Sequence, residues 1–231
     1  MNIDEFINEL NLINIYPTDY QLNQLEKYYS LLIEYNKVMN LTGITDHGEV
    51  YLKHFYDSLT LNKIIDLSKD YTLCDIGSGA GFPGIVLKII FPNLKITLID
   101  SLNKRIEFLN TVIKELKLKD IKTISTRVEE YGKTNREKYD LVTARAVAPL
   151  SILLEYAIPL LKVNGYFIPM KANLEKNYHT ALNKLNAKEL KREEFNLPKE
   201  NSKRTILLIK KEKLTNKLFP RNNSQIKKCP L

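Results

Sequence analysis

Cysteine is scarce in this chain of 231 residues, which contains only Cys74 and Cys229. Two cysteines so far apart form neither a disulfide framework nor a metal-ligand cluster, so we expect a reducing compartment and no metal site. Long apolar runs are also missing, since no stretch approaches the roughly 20 residues that cross a bilayer. The acidic start over residues 1–5 is unlike a secretory signal. We therefore expect a cytoplasmic protein without a membrane partner.

Charge is distributed unevenly along the chain, whose formal net charge is +8. Residues 1–72 hold 11 acidic and five basic side chains, a balance of −6, whereas residues 73–231 hold 30 basic and 16 acidic ones, a balance of +14. Such an asymmetry suggests a polyanionic partner such as a nucleic acid. Lysines outnumber arginines 28 to seven, so a merely solvated lysine-rich surface is the alternative.

Three segments with different patterns follow one another along the chain. Residues 1–70 have apolar positions at helical spacing, such as Leu25, Tyr28 and Leu32, and predict an N-terminal helical extension with Thr18 or Asp19 as a cap. Residues 71–211 alternate short apolar strands with helices and predict the main domain. Residues 212–231 are basic and poor in apolar residues, and predict a C-terminal tail without a core face.

The middle segment contains seven candidate strands. They cover residues 72–76, 95–100, 121–125, 139–143, 165–170, 188–195 and 204–210, with candidate helices over 83–91, 106–116, 149–161 and 174–185. Strands that alternate with helices are typical of βαβ units. The pattern predicts an α/β fold of the Rossmann-like kind, in which a mainly parallel seven-stranded sheet has helices on both faces.

A glycine-rich loop follows the first candidate strand, and it holds four of the eight glycines in the chain. Its residues are Asp75-Ile76-Gly77-Ser78-Gly79-Ala80-Gly81-Phe82-Pro83-Gly84. The loop joins a strand to a helix, where open α/β sheets bind ligands, and glycines let a ligand approach the backbone closely. A turn that serves only tight packing is the alternative, although four glycines in ten residues are costly for packing alone.

Two carboxylates bear on the class of ligand. Gly79, Gly81 and Gly84 match the G-x-G-x-x-G pattern of dinucleotide sites, so a nicotinamide-dependent oxidoreductase is one possibility. Asp75, however, leads the loop, and a carboxylate there would oppose a pyrophosphate and favour a cationic ligand without phosphate, such as S-adenosylmethionine. Asp100 ends the second strand and is placed for ribose hydroxyls in either class. The residues therefore favour an S-adenosylmethionine-dependent methyltransferase.

Two further strand ends carry candidate ligand contacts. The segment 127–130, with Val128 and Glu129, follows the third strand and can hold an adenine ring between backbone and side chain. Arg145 follows the fourth strand among small residues, where we expect a binding role. A structural ion pair is the alternative for this arginine.

These motifs resemble the glucose-inhibited division protein B family, bacterial methyltransferases that act on guanine N7 in 16S ribosomal RNA, over nearly the whole chain. The features that carry the resemblance are residues 36–42, His54 with Asp57-Ser58-Leu59, the loop 75–84 with its Phe-Pro, residues 100–109, the segment 144–148, and Pro220-Arg221. The resemblance implies cofactor contacts at Gly77, Phe82, Val128, Glu129 and Arg145. It further implies 16S ribosomal RNA, free or within the small subunit, as the substrate.

Guanine N7 already presents a lone pair, so the implied reaction needs positioning and desolvation rather than a base. We accordingly assign no catalytic residue, since His47, His54 and His179 are scattered along the chain and Cys74 is expected to be buried. A methyltransferase of the same fold acting on another RNA or a small molecule, and a non-catalytic RNA-binding protein, are the alternatives. We expect a monomer without an obligate protein partner.

Overall fold

A single sheet of seven strands lies at the centre of the computed structural model, which describes residues 1–145, 148–175, 177–200 and 202–231. In chain order the strands are β1 (Thr72–Ile76), β2 (Lys95–Asp100), β3 (Ile121–Ser125), β4 (Tyr139–Arg145), β5 (Leu161–Lys171), β6 (Ala187–Asn196) and β7 (Lys203–Lys211). Each strand overlaps the range that the sequence predicts for it, so the assignment of all seven is confirmed; six lie on apolar runs, whereas β6 is mostly charged.

The strands are arranged in the order β3-β2-β1-β4-β5-β7-β6. Neighbours among β1 to β5 pair in parallel, whereas β7 is antiparallel to both β5 and β6. The strand order reverses at β1, with β2 on one side and β4 on the other, and a crevice at the carboxyl ends is expected at such a point. The predicted Rossmann-like, mainly parallel sheet is confirmed.

Helices cover both faces of this sheet. The α-helices are α1 (Ile3–Asn11), α2 (Asp19–Met39), α3 (His47–Val50), α4 (Asp57–Leu59), α5 (Gly84–Ile90), α6 (Asn103–Glu115), α7 (Val128–Thr134), α8 (Leu150–Ala157), α9 (His179–Lys184) and α10 (Asn223–Lys228). Leu141 and Val142 are neighbours in β4, yet they enter two different buried clusters, because successive strand residues point to opposite faces. None of the described helices has the length and apolar character that crossing a membrane needs.

The predicted N-terminal helices form, and both long ones begin at capping boxes. Asn2 accepts the Glu5 N–H before α1, and Thr18 accepts the Gln21 N–H before α2, so Thr18 rather than Asp19 is the cap. Helix α2 ends at Asn40, whose φ of 50° is left-handed. Buried leucines of this helix join the cluster on one sheet face, which attaches the N-terminal helices to the sheet.

A π-helical turn over Tyr51–Tyr56 lies between α3 and α4. The sequence predicts an ordinary helix here, and the wider turn is a departure from it. Such turns are rare and occur frequently at functional sites. This one carries Lys53 and His54, and α4 follows it directly with Asp57.

The C-terminal segment 212–231 contradicts the expectation of a tail without a core face. Ile226 of α10 is fully buried, and Arg221 binds the fully buried carboxylate of Glu155 at 2.6 Å. Arg136 donates to the Thr215 carbonyl at 2.6 Å. The segment therefore docks through Ile226, with Phe219 and Leu231 packed against the same buried cluster, and through a few strong polar contacts to residues far away in the chain.

Candidate functional site

The loop after β1 folds tightly against the end of β2. The N–H groups of Gly77 and Ser78 both donate to the Ile99 carbonyl, at 2.8 and 3.0 Å. Gly79 has a φ of +58°, a left-handed conformation that glycine adopts without strain. The nearest heavy atom to a Cβ at this position would be the Gly77 oxygen at 4.0 Å. The backbone at Gly79 therefore faces open space rather than packed core.

Asp75, which the sequence places at the mouth of the loop, lies beneath it. Its side chain is fully buried, and Oδ2 accepts the Gly84 N–H at 2.9 Å. Burial raises the pKa of this carboxyl to about 7. The expectation that Asp75 meets the ligand directly is wrong, because the first turn of α5 needs an acceptor for its free N–H group.

A cavity of about 520 Å³, named here the loop cavity, opens at the carboxyl ends of the strands where their order reverses. All of the cofactor contacts that the sequence predicts line it: Gly77, Gly79, Phe82, Asp100, Val128, Glu129 and Arg145. They come together because parallel strands carry their carboxyl ends on the same edge of the sheet. Two members of the segment 144–148, Ala146 and Val147, lie outside the described residues.

Asp100 is held rigidly beside the loop. Its Oδ2 accepts the Gly79 N–H at 2.9 Å and one Arg105 N–H at 3.2 Å, while Oδ1 accepts the Leu102 N–H at 2.9 Å. These bonds fix the orientation of the carboxylate and leave its remaining lone pairs free to accept hydrogen bonds from a ligand. A carboxylate in this position can accept hydrogen bonds from a pair of ribose hydroxyls.

Glu129 has a buried oxygen without a partner among the described residues. It lies in the first turn of α7, where its Oε1 makes no hydrogen bond. The closest guanidinium, that of Arg127, stands 4.0 Å away. A buried carboxylate oxygen is costly to leave unpaired, so this atom fits a ligand that brings its own donor, such as the exocyclic amine of an adenine.

Arg145 forms one wall of the loop cavity and makes several protein contacts at the same time. Its Nη1 donates to Asp57 Oδ2 and to the Lys53 carbonyl, both at 3.1 Å. The guanidinium also lies 5.0 Å from the centre of the Phe82 ring. The ion pair that the sequence offered as one interpretation is thus present, and it fixes the arginine at the cavity wall. A binding role for Arg145 stays a prediction.

His54 also lines the loop cavity, although no binding role is predicted for it from the sequence. Its Nδ1 lies 3.2 Å from Arg145 Nη2, and its Nε2 lies 2.8 Å from Thr42 Oγ1. Because a guanidinium can only donate, its contact favours the tautomer with the proton on Nε2, whereas the Lys53 carbonyl, also 3.2 Å from Nδ1, favours the other tautomer. Burial, and then the Arg145 charge, lower the pKa of His54 to about 3, so the ring stays neutral. The feature of the sequence that could have indicated a role for His54 is its spacing of three residues from Asp57.

The loop cavity is completed by residues from other parts of the chain that the sequence does not connect with it. Tyr156 in α8 donates to Asn223 Oδ1 at 2.9 Å, and both residues line the cavity beside Glu129. Lys227 of α10 lines it as well. The docked C-terminal segment therefore forms part of the wall.

Similar folds are found among methyltransferases. The chain matches "Crystal structure of a SAM dependent methyltransferase from Aquifex aeolicus" with a TM-score of 0.54 and 16% identity, covering 71% of this chain and 93% of that one. It matches M. jannaschii TYW2 in complex with AdoMet with a TM-score of 0.52 and 15% identity, covering 67% and 74%. The sheet order and the glycine loop after β1 thus place the chain in the class of Rossmann-like methyltransferase folds.

Similarity in sequence narrows this class to one family. The family model "GidB: rRNA small subunit methyltransferase G" matches residues 21–207. Proteins named ribosomal RNA small subunit methyltransferase G from Exiguobacterium sibiricum and Bacillus thuringiensis are 47% and 48% identical, over the whole of this chain and at least 99% of their own length. The chain belongs to the GidB family, and the resemblance stated from its motifs is confirmed.

Proposed function

We propose that this protein transfers the methyl group of S-adenosylmethionine to N7 of a guanine in 16S ribosomal RNA. The observation that carries the proposal is that every cofactor contact predicted from the sequence lies within residues 21–207, which match the family model, and lines one cavity at the strand-order reversal. Membership of a family of small-subunit rRNA methyltransferases supports the RNA substrate. The guanine N7 atom follows from the family resemblance, and we propose a monomer acting in the cytoplasm.

The side chains of the loop cavity can each take a part of the methyl donor. Asp100 accepts the ribose hydroxyls, the orphaned Glu129 oxygen accepts the adenine amine, and the backbone around Gly77 and Gly79 faces the rest of the nucleoside. When bound, S-adenosylmethionine would supply a methyl group on a sulfonium; a nucleophile in line with the S–CH3 bond would bond to that carbon, and neutral S-adenosylhomocysteine would leave. Arg145 and Phe82 form the wall past which that nucleophile approaches.

Positioning and exclusion of water are the tasks left for the protein. N7 of a neutral guanine has a free lone pair, so no proton has to be removed before the attack. His54 is not placed as a base either, because both ring nitrogens have protein partners: Nδ1 lies 3.2 Å from Arg145 Nη2, and Nε2 lies 2.8 Å from Thr42 Oγ1. The residues at the wall therefore position the reactants and do not transfer a proton.

Methyl incorporation tests the proposed reaction directly. Purified protein is incubated with radiolabelled S-adenosylmethionine and either naked 16S ribosomal RNA or 30S particles, and the RNA is digested to nucleosides. We expect the label in 7-methylguanosine. Label in another nucleoside or in small molecules only, or calorimetric binding of NAD in place of S-adenosylmethionine, contradicts the proposal.

Replacing Glu129 tests the placement of the adenine. Glu129→Ala removes the acceptor for the amine, and we expect calorimetry to give an affinity for S-adenosylmethionine about 10- to 100-fold lower, since hydrogen bonds to charged groups contribute roughly 1.5–3 kcal/mol. The matched control is Glu130→Ala, whose neighbouring carboxylate is exposed and pairs with Lys133 at 2.7 Å. Equal affinities for the two variants would place the adenine elsewhere.

A further inference from the structure

A second cavity, of about 640 Å³, lies on the far side of the residues that wall the loop cavity. His54, Arg145 and Ala148 line both cavities, and these three residues are named here the partition. The second cavity is separate from the expected donor contacts, since Asp100, Val128 and Glu129 line only the loop cavity. The two spaces are thus adjacent and share part of their lining.

We propose that the second cavity seats the target guanine, with the N7 edge of the base directed at the partition. The inference rests on the proposed function, because it assigns the acceptor to a place within the same site. Chemistry between two bound molecules needs both of them within contact distance of one another. A cavity that shares three lining residues with the donor space meets this requirement.

The lining of the second cavity suits a nucleotide. Ile44, Met170 and Ala172 supply apolar surface for the faces of a base, and its volume lies within the usual range for ligand pockets, roughly 300–1,000 Å³. An enzyme that modifies a base has to take it out of the stack and into such a pocket. Apolar surface next to charged groups matches a flipped base with its attached phosphates.

Most charges of the lining are paired with one another. Lys53 pairs with Glu49 and Glu200, and Lys171 pairs with Glu175. Arg145 and Arg204, in contrast, share the single carboxylate of Asp57, which leaves one positive charge at that place. A phosphate flanking a flipped nucleotide would be attracted to this pair of guanidinium groups.

Asp57 organises the cationic side of the second cavity. Its carboxylate is nearly buried and accepts from Arg145 Nη1 at Oδ2 at 3.1 Å and from Arg204 Nε at Oδ1 at 3.0 Å. One carboxylate therefore fixes an arginine of β4 and an arginine of β7 at the same place. Because a guanidinium is planar and rigid, both cations are presented in defined orientations.

The N-terminal helical extension thereby becomes part of the acceptor site. Lys53 and His54 belong to the π-helical turn and Asp57 to α4, and all three line the second cavity. The motif around His54 and Asp57 had no function in the sequence beyond its resemblance to the family. In the structure it supplies one side of the space that the target base would enter.

Filling the second cavity tests this inference. Ala172 is exposed and lines the second cavity but not the loop cavity, so Ala172→Trp places an indole in the proposed base site without disturbing the core. We expect methyl transfer to 16S ribosomal RNA to fall on the order of a hundredfold, because the base can no longer reach the donor. Calorimetry should give an unchanged affinity for S-adenosylmethionine. The matched control, Leu190→Trp, adds an indole to an exposed position on β6 and should retain wild-type transfer.

Asn173→Trp is the second filling variant, since Asn173 is also exposed and lines the same cavity. Thermal unfolding of each variant checks that it is folded. Wild-type transfer rates in both filled variants overturn the inference and leave the proposed function intact, as does a loss of donor affinity equal to the loss of transfer. A wild-type chain that binds the donor but methylates no RNA removes the proposed function itself.

Discussion

The carboxyl group of Asp75 changes its protonation state near neutral pH, because complete burial raises its pKa to about 7. Its Oδ2 accepts the Gly84 N–H, while the buried Oδ1 has no hydrogen-bond partner among the described residues. The first turn of α5 thus has a hydrogen-bond acceptor for its free N–H group. Once Asp75 ionises, however, its buried negative charge is unfavourable. A residue that organises the glycine loop therefore also couples folding to pH.

Asp75→Asn should remove part of the pH dependence of stability. The unfolded carboxyl ionises near 3.8 and the folded one near 7, so between these values only the folded protein holds the proton. Wild-type stability falls as pH rises through this window, by at most about 1.4 kcal/mol per pH unit, and the contribution is lost above pH 7. In urea titrations, the free energy of unfolding of Asp75→Asn relative to that of the wild type should therefore increase between pH 5 and pH 8.

The control for this measurement is Asp70→Asn, since Asp70 is exposed at the end of a surface turn. We expect its unfolding free energy to follow that of the wild type at every pH. Parallel curves for Asp75→Asn and the wild type would mean that the buried carboxyl does not bind a proton on folding.

Residues at the loop cavity differ in how far the sequence predicts them. Asp100, Glu129 and Arg145 lie at or just after strand ends, so the regular βα alternation alone brings them to one edge. Tyr156 and Asn223 are 67 positions apart and meet only through the docking of α10. No local pattern encodes such a contact. The depth of Asp75 was misjudged for a related reason, since sequence shows which residue follows a strand but not which way its side chain turns.

At the scale of elements, strands are predicted better than the segments that follow β5. Apolar runs in a doubly covered sheet are nearly continuous, so their positions are plain in the sequence. Helix α9 is shorter than its pattern suggests, covering His179–Lys184 within the predicted 174–185, of which Lys176 lies outside the described residues. The C-terminal segment has only Ile226 fully buried among its apolar residues, too weak a signal for a core face.

Arg221 should hold the C-terminal segment in place. Arg221→Met leaves the fully buried Glu155 carboxylate without its cation, and we expect unfolding free energy to fall by about 3–5 kcal/mol in urea titrations. The exposed Lys228→Met is the control and should change little. The double variant Glu155→Met with Arg221→Met should recover much of the loss, because no buried charge remains. If Arg221→Met is as stable as Lys228→Met, the ion pair between Arg221 and Glu155 does not contribute to stability.

At the scale of the whole molecule, the two charge blocks of the sequence fold together. The acidic N-terminal helices pack on one face of the sheet, and Glu5 forms an ion pair with Lys199 near the other end of the chain. Most other basic residues follow residue 72. The excess of positive charge in that part matches the proposed RNA substrate, since phosphate contacts dominate nucleic-acid affinity.

RNA binding should accordingly weaken steeply with salt. Between 50 and 200 mM monovalent salt we expect the affinity for 16S ribosomal RNA fragments to fall by at least about tenfold, because lysines and arginines release counterions from the phosphates. Filter binding across this range measures the effect. Affinity for S-adenosylmethionine, which has no phosphate, is the internal control and should change little. An RNA affinity that is flat in salt would contradict a phosphate-based interface.

The docking of residues 221–227 has a consequence for biosynthesis. A growing polypeptide whose translation has reached β7 already contains the glycine loop, Asp100, Glu129 and Arg145, but it still lacks Asn223 and Lys227. Glu155 at that stage has no guanidinium to neutralise it. A nascent chain that has reached β7 therefore has an open-sided nucleoside pocket, and the wall is completed only once residues 221–227 have been synthesised and have docked.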